Sequence, residues 1–365
     1  MIISIDNLIL ELFCHFIMMC GMKIQENVNL SKYTTFQLNA KARFFAEVKN
    51  LEDINECLEG IKAKKITFFI LGGGANVAFV KNFPGLVIKI SLLGKEIISI
   101  DKEKVRIKVA AGENWSDFVN WCVDAWYSGI ENLAEIPGCV WASSVQNIWA
   151  YWAEAREIIK EVHYIDIETG KTFILDNASC NFAYRDSIFK HELADKVIVT
   201  HVVFELKIFE NWMPLKIDYK EITQYLSAHL IDPKNVTPKM LAEIIKEIRS
   251  NKLPDRHKIG TAWSFFKNPI IPRKQLISLK FEFSNIIYFE ISEPKSVKLS
   301  AWQLIELCWF KWAKRWHVGV YDKHALILVN NWWADGKELS DLSDEIIQAV
   351  KTKFGVVLEP EVIMI

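Results

Sequence analysis

The chain has 365 residues, 51% hydrophobic and 24% charged, which reads as an ordinary soluble globular protein with room for two or three domains and a substantial core. Its net charge of −1 excludes a polyanion such as nucleic acid as the main partner, because no basic excess is present to neutralise phosphates. Glycine and tryptophan are nearly equal in number, 15 against 14, whereas glycine ordinarily makes up roughly 7% of a chain.

The chain opens on an apolar stretch, "MIISIDNLILELFCHFIMMCG". It has no basic start and carries Asp6 and Glu11 instead, which excludes an export signal. Glu11 and His15 also interrupt it, which argues against a membrane span. Residues 1–21 are therefore expected to be a dispensable leader or a mis-assigned start, with the folded protein beginning near Met22. "RFFAEVKN" (43–50) and "KKITFFILGGGANVAFV" (64–80) are rich in β-branched and aromatic residues and read as strands. Between them, Leu51, Ile54, Leu58 and Ile61 recur at helical spacing. "VRIKVAAGENWSDFVNWCVDA" (105–125) turns from strand to helix, with Asn114 or Ser116 as the cap. After Pro233 the pattern gives a helix over 237–251, a loop over 252–269, a helix near 301–310, a helix over 339–354 and a closing strand over 356–365. The class is α+β, with domains expected at 22–208 and 209–365. Cys14, Cys20, Cys57, Cys122, Cys139, Cys180 and Cys308 show no paired or metal-like spacing and read as reduced thiols, most of them core residues. The eight histidines are scattered and no HExxH occurs, so no metal site is indicated.

The clearest local signal is "FFILGGGANVAF" (68–79). A strand running into Gly72, Gly73 and Gly74 can present a turn of bare peptide N–H groups, which suits phosphate or pyrophosphate. It is neither a GxGxxG nor a Walker loop, and taken alone a plain tight turn is the better explanation. Its neighbours add more. "YTTF" (33–36), "LGGGANV", "AGENW", "SGIENLAEIPG", "YRDSIFK", "KLPD", "SFFKNP", "VYDKHALILVN" and "LEPEV" follow one another in that order. Together they resemble the UDP-N-acetylenolpyruvoylglucosamine reductases, flavoenzymes that make UDP-N-acetylmuramate for peptidoglycan, over residues 27–365. "WMPLKIDYKEI" (212–222) is similar to the tyrosine loop of the family's longer type.

The resemblance implies an FAD-binding, vanillyl-alcohol-oxidase-like (PCMH) region at the N-terminus and an α+β substrate domain at the C-terminus. It implies a cytoplasmic, monomeric enzyme that takes electrons from NADPH through FAD and acts on a sugar nucleotide, with no membrane or nucleic-acid partner. Reducing an enolpyruvyl ether needs a hydride at one carbon, a proton at its neighbour and stabilisation of the enolate between these events. By the resemblance Ser264 donates the proton, and Arg185 stabilises the enolate through its donor fork. Glu361 does so as a carboxylic acid, with Glu359 as the alternative. Tyr219, Lys252, Asn268, Lys311 and His324 would hold the substrate. The flavin would lie against Gly72, Gly73, Gly74, Ala75, Asn76 and Val77, against Ile136, Pro137, Gly138, Cys139 and Val140, and against Ser143, Ser144, Gln146, Asn147 and Ile148. The rival readings are a non-catalytic FAD- or nucleotide-binding relative and a flavin oxidase lacking the set of Ser264, Arg185 and Glu361.

Against this pattern, tryptophan stands where the family has glycine at Trp126, Trp141, Trp149, Trp152, Trp263, Trp302, Trp309, Trp312, Trp316, Trp332 and Trp333. Adding these eleven to the 15 glycines restores a share of about 7%. Some lineages read UGA as glycine while a common variant code reads it as tryptophan, so the expectation is a gene translated under the wrong code. On the non-catalytic reading the same indoles are genuine and fill the site.

Overall fold

A computed structural model describes residues 23–256, 258–291 and 293–365. The leader, with Cys14 and Cys20, lies outside them. The described chain divides into two compact units, each assembled from separate pieces: residues 23–28, 42–73 and 84–251 form the first, and 29–41, 74–83 and 252–365 the second.

In the first unit, a four-stranded sheet runs in the order Ile24–Asn29, Lys41–Val48, Phe83–Ile90, Phe68–Leu71. The last pair is parallel, with Phe68 opposite Leu86, and such a pair needs a crossover. A six-stranded sheet is built on Val197–Ile208, which pairs antiparallel with Ile159–Asp166 on one side and Lys104–Ala110 on the other. The helix Leu51–Lys64 is capped by Asn50 and buries Ile54, Cys57, Leu58 and Ile61. The helix Trp115–Asp124 is capped by Asn114, whose side chain accepts from the amide of Asp117. Cys57, Cys122, Cys139 and Cys180 are buried free thiols. Burial pushes the Cys57 and Cys180 thiols up to about 12, so they behave as small core residues.

His201, on the central strand, supplies a pH-dependent element. Burial, then the charges of Lys108 and His163, depress its imidazolium to about 4. Between pH 6.5 and about 4 the unfolded chain takes up a proton at this position that the folded protein refuses, so stability is full above that window and falls through it. The loss is on the order of 2 kcal/mol. His201→Gln is expected to flatten the dependence of Tm on pH in this window, and an unchanged slope would refute the assignment.

In the second unit, a four-stranded antiparallel sheet runs Gly260–Ser264, Ile327–Asn330, Val318–Val320, Lys314–Arg315, and a three-stranded sheet runs Ile270–Pro272, Ser296–Leu299, Tyr288–Glu290. The helix Gly336–Phe354 opens on a capping box between Asp335 and Glu338 and buries Leu339, Leu342, Ile346 and Val350. It ends on Gly355 in the left-handed conformation, φ +64°, where a side chain would strain the backbone.

Three expectations are corrected. Residues 209–251 do not join the second unit: the helices Lys220–Ala228 and Pro238–Lys252 bury Ile222, Leu226, Leu241 and Ile245 in the core of the first. The loop over 252–269 contains the strand Gly260–Ser264. The closing strand shrinks to Ile363–Met364, parallel to Val77–Ala78, because Pro360 has no N–H to give a ladder.

Candidate active site

Two motifs almost a hundred residues apart meet in the second unit. Beyond Ser264, the segment 265–267 runs antiparallel to 359–361: Glu361 donates its amide to Phe265 O at 2.8 Å, Phe266 pairs with Pro360, and Lys267 donates to Glu359 O at 2.9 Å. This ladder sets the backbone of Glu361 one residue from that of Ser264, and both residues are half-buried. Glu359 is exposed and its carboxylate is engaged by Lys267 Nζ at 3.3 Å. Asn76 fixes the same segment, donating from its side chain to Glu361 O at 2.9 Å. Asn268 turns its side-chain oxygen to the amide of Ala301 at 2.9 Å, leaving its NH₂ as the donor. Lys311 is paired with Glu306 at 2.7 Å, and the His324 ring nitrogen accepts from Leu326 N at 3.3 Å. Lys252 closes the helix Pro238–Lys252.

Arg185 and Tyr219 belong to the first unit. Ala183 and Asp186 exchange backbone hydrogen bonds of 3.0 and 3.2 Å around Tyr184 and Arg185, and Arg185 sits there with φ +56°. Asp186 is paired with His191 at 2.7 Å. Tyr219 precedes the helix Lys220–Ala228, its ring edge-on to Tyr151 at 5.0 Å. The Tyr151 hydroxyl is raised to about 12 by burial, against the opposing pull of Arg249, which is hydrogen-bonded to it. Arg249 in turn lies within reach of the charges of Glu135 and Arg185.

Three residues here have no role assigned from the sequence: Arg249, which lies in no motif, and Asn132 and Tyr151, which lie in motifs that did not single them out. Asn132 is buried and donates to Tyr151 O at 3.0 Å and to Lys216 O at 2.8 Å, tying the tyrosine loop to the hairpin beside it. Asn132→Ala leaves two carbonyls without a donor and is expected to cost about 1–3 kcal/mol, read as a fall in thermal stability. A change below about 0.5 kcal/mol, the range of surface substitutions, would remove Asn132 from this role.

The glycine turn also begins in the first unit. A Cβ on Gly73 would lie 2.5 Å from Gly138 Cα and 2.7 Å from Cys139 N, so backbone packs on bare backbone. The helix Val140–Gln146 follows, and Ser143 and Ser144 return their hydroxyls to its own carbonyls, Val140 O and Trp141 O. Asn147 is buried, donating to Glu154 at 2.7 Å and Ala183 O at 2.8 Å while accepting from Arg156 N at 2.9 Å. These three side chains therefore shape the segment, and any contact with a ligand falls to its backbone and to its neighbours.

Residues 254–365 match the UDP-N-acetylenolpyruvoylglucosamine reductase C-terminal domain, and residues 42–176 match an FAD-binding domain. The UDP-N-acetylenolpyruvoylglucosamine reductase of Flavobacterium johnsoniae is 39% identical over 93% of this chain and 99% of its own length. The chain belongs to this reductase family. The Chromobacterium violaceum reductase is 37% identical, with 93% of this chain and 98% of its own covered. The crystal structure of the Thermus caldophilus reductase shares the fold, with a TM-score of 0.62 over 94% of this chain and 99% of its own at 21% identity.

For this reductase the flavin is FAD, and the residues present can be tested against it. Gly72 and Gly73 fit in having no side chain to bar a pyrophosphate, although the bare face of Gly73 is already taken by the backbone of Gly138 and Cys139. One residue does not. The indole of Trp141 lies over Gly72, with Cδ1 3.3 Å from where a Cβ would stand. No helix among the described residues is long and apolar enough to cross a membrane.

Proposed function

We propose that the chain reduces UDP-N-acetylenolpyruvoylglucosamine to UDP-N-acetylmuramate with electrons from NADPH, working in the cytoplasm as a monomer. FAD, when bound, supplies the hydride. Ser264 gives its hydroxyl proton to the neighbouring carbon of the substrate and regains one from solvent. Arg185 offers fixed guanidinium donors to the enolate oxygen, where stabilisation of developing charge is worth most. Glu361, in its protonated form, donates a second hydrogen bond to the same oxygen. Tyr219, Lys252, Asn268, Lys311 and His324 hold the sugar nucleotide, the lysines through the diphosphate.

The backbone ladder between 265–267 and 359–361 is the observation that carries this reading. It brings the backbones of Ser264 and Glu361 within one residue of each other from two motifs distant in sequence, and the ion pair of Glu359 with Lys267 supports giving the chemical role to Glu361. Glu361→Ala is expected to lower kcat by about 10²–10³, the cost of removing one donor to a developing oxyanion. Glu359→Ala, at an exposed ion pair, should leave kcat within about threefold. Equal effects of the two substitutions would refute the assignment.

A further inference from the structure

Eight of the fourteen tryptophans occupy the left-handed region of backbone space, with φ between +53° and +83°: Trp126, Trp152, Trp263, Trp309, Trp312, Trp316, Trp332 and Trp333. That region brings Cβ against the following carbonyl and is the habitat of glycine, then asparagine. Among the other described residues with a side chain, asparagine is found there three times and seven further residue types once each. Tryptophan, a bulky residue with no local hydrogen bond to offer in return, outnumbers all of them singly.

Most of these indoles occupy a slot whose need for glycine follows from the turn itself. Trp309 follows the helix Ala301–Leu307 and its cap Cys308. It donates to Glu306 O at 2.9 Å, while Phe310 donates to Ile305 O at 3.3 Å. This pair of bonds defines a Schellman ending with Trp309 in the glycine position. Trp126 follows the helix Trp115–Asp124 with φ +61°, almost the angle of Gly355 at the end of Gly336–Phe354. Trp312 is third in the turn closed by Ala313 N and Phe310 O at 2.8 Å, where a type II turn requires positive φ. Trp152 is second in the two-residue loop between the paired Ala150 and Ala153, after Tyr151 at φ +46°. This is the glycine of an Asn-Gly type I′ hairpin. Trp316 is first in the loop between the paired Arg315 and Val318, the glycine of a type II′ hairpin. Trp263 is the extra residue where Thr261 faces Val329 but Ser264 faces Ile327, the left-handed position of a G1 bulge.

We propose that the working protein carries glycine at these eight positions, and that its gene spells them with UGA, read as glycine in the cell of origin. Packing does not explain the outermost indoles: Trp309, Trp316 and Trp333 are 88%, 87% and 85% exposed. A docking surface would account for exposure but not for turn geometry, and the set is shared between the two units. Trp141, Trp149 and Trp302, also suspected from the family pattern, have no left-handed backbone and stay outside the set, and two further tryptophans supply internal controls. Trp115 and Trp121 have no left-handed backbone. Trp115 is 1% exposed with Nε1 donating to Leu133 O at 2.8 Å, and Trp121 stacks on Phe118.

The test reads the codons at these ten positions, then the masses of peptides from the protein isolated from its own cells. The expected result is UGA at the eight and UGG at Trp115 and Trp121, with each peptide lighter by the difference between an indolylmethyl group and a hydrogen for every one of the eight positions it contains. UGG at the eight overturns the proposal. UGA with intact indoles in the peptides overturns it equally, because the codon alone does not separate the two variant codes. Neither readout depends on catalysis, so failure here leaves the catalytic assignments standing, and failure of those assignments leaves this one.

Discussion

Ser264→Ala is expected to leave the flavin fully reducible by NADPH while slowing its reoxidation by UDP-N-acetylenolpyruvoylglucosamine by about 10²–10⁴, the usual worth of a positioned proton donor. The separation of the two half-reactions is the point of the experiment. Ser264 ends the strand Gly260–Ser264, opposite Ile327, and its neighbours Phe265 and Phe266 are buried. Removing one half-exposed hydroxyl from a strand so anchored should not disturb flavin content or thermal unfolding. A loss confined to the second half-reaction therefore reports on the proton and not on folding. If both half-reactions slow together, the serine holds structure. If reoxidation stays within about tenfold of the parent, the proton comes from elsewhere.

The second large effect is a reversal of sign for one kind of substitution. Trp309→Gly should stabilise the chain by about 1 kcal/mol, because it relieves a side chain of the left-handed strain of roughly 1–2 kcal/mol and removes almost no packing at that exposed position. Trp115→Gly should destabilise it by about 4 kcal/mol or more. There the indole is buried against Phe118 and Phe204 at 5.9 and 5.8 Å, and glycine also weakens a helix. Denaturant unfolding of the two single variants measures both. Equal signs would mean that the backbone at 309 is not what penalises the indole. Over all eight positions, strain of this size sums to about 8–16 kcal/mol, comparable with the roughly 5–15 kcal/mol by which native proteins are stable.

Periodicity and caps made several helices legible, though not Val140–Gln146, Lys220–Ala228 or Arg273–Glu282. Asn114 caps where it was expected, and Leu51–Lys64 follows its apolar spacing. The last helix begins three residues before its apolar pattern, at Gly336, because Asp335 and Glu338 form a capping box that hydrophobic period alone does not register. The strand Gly260–Ser264 stayed hidden because its bulge breaks the alternation that identifies strands. Ser264 and Glu361 were reached through motifs, yet their adjacency depends on a pairing between distant segments that no local pattern encodes. Arg249 had no signal at all, and Asn132 was visible only as one letter of "SGIENLAEIPG": a polar residue reveals a structural role only when its partners are in place. The surplus of tryptophan was visible in composition, but the reason that glycine belongs at 309, 312 and 316 lies in dihedral angles.

The second unit takes Phe36, Leu38 and Ala78 into its core, although these residues precede most of the first unit in the chain. During synthesis they leave the ribosome long before their partners in 252–365 exist, so they must wait, exposed or provisionally covered, while about two hundred residues are added. Such long-range closure is slow and open to aggregation. A fragment beginning at 252 would lack the pieces 29–41 and 74–83 and would be born with part of its interior bare. Dissection of this reductase into independently folding halves therefore requires a circular permutation or a co-expressed N-terminal strand, not a single cut.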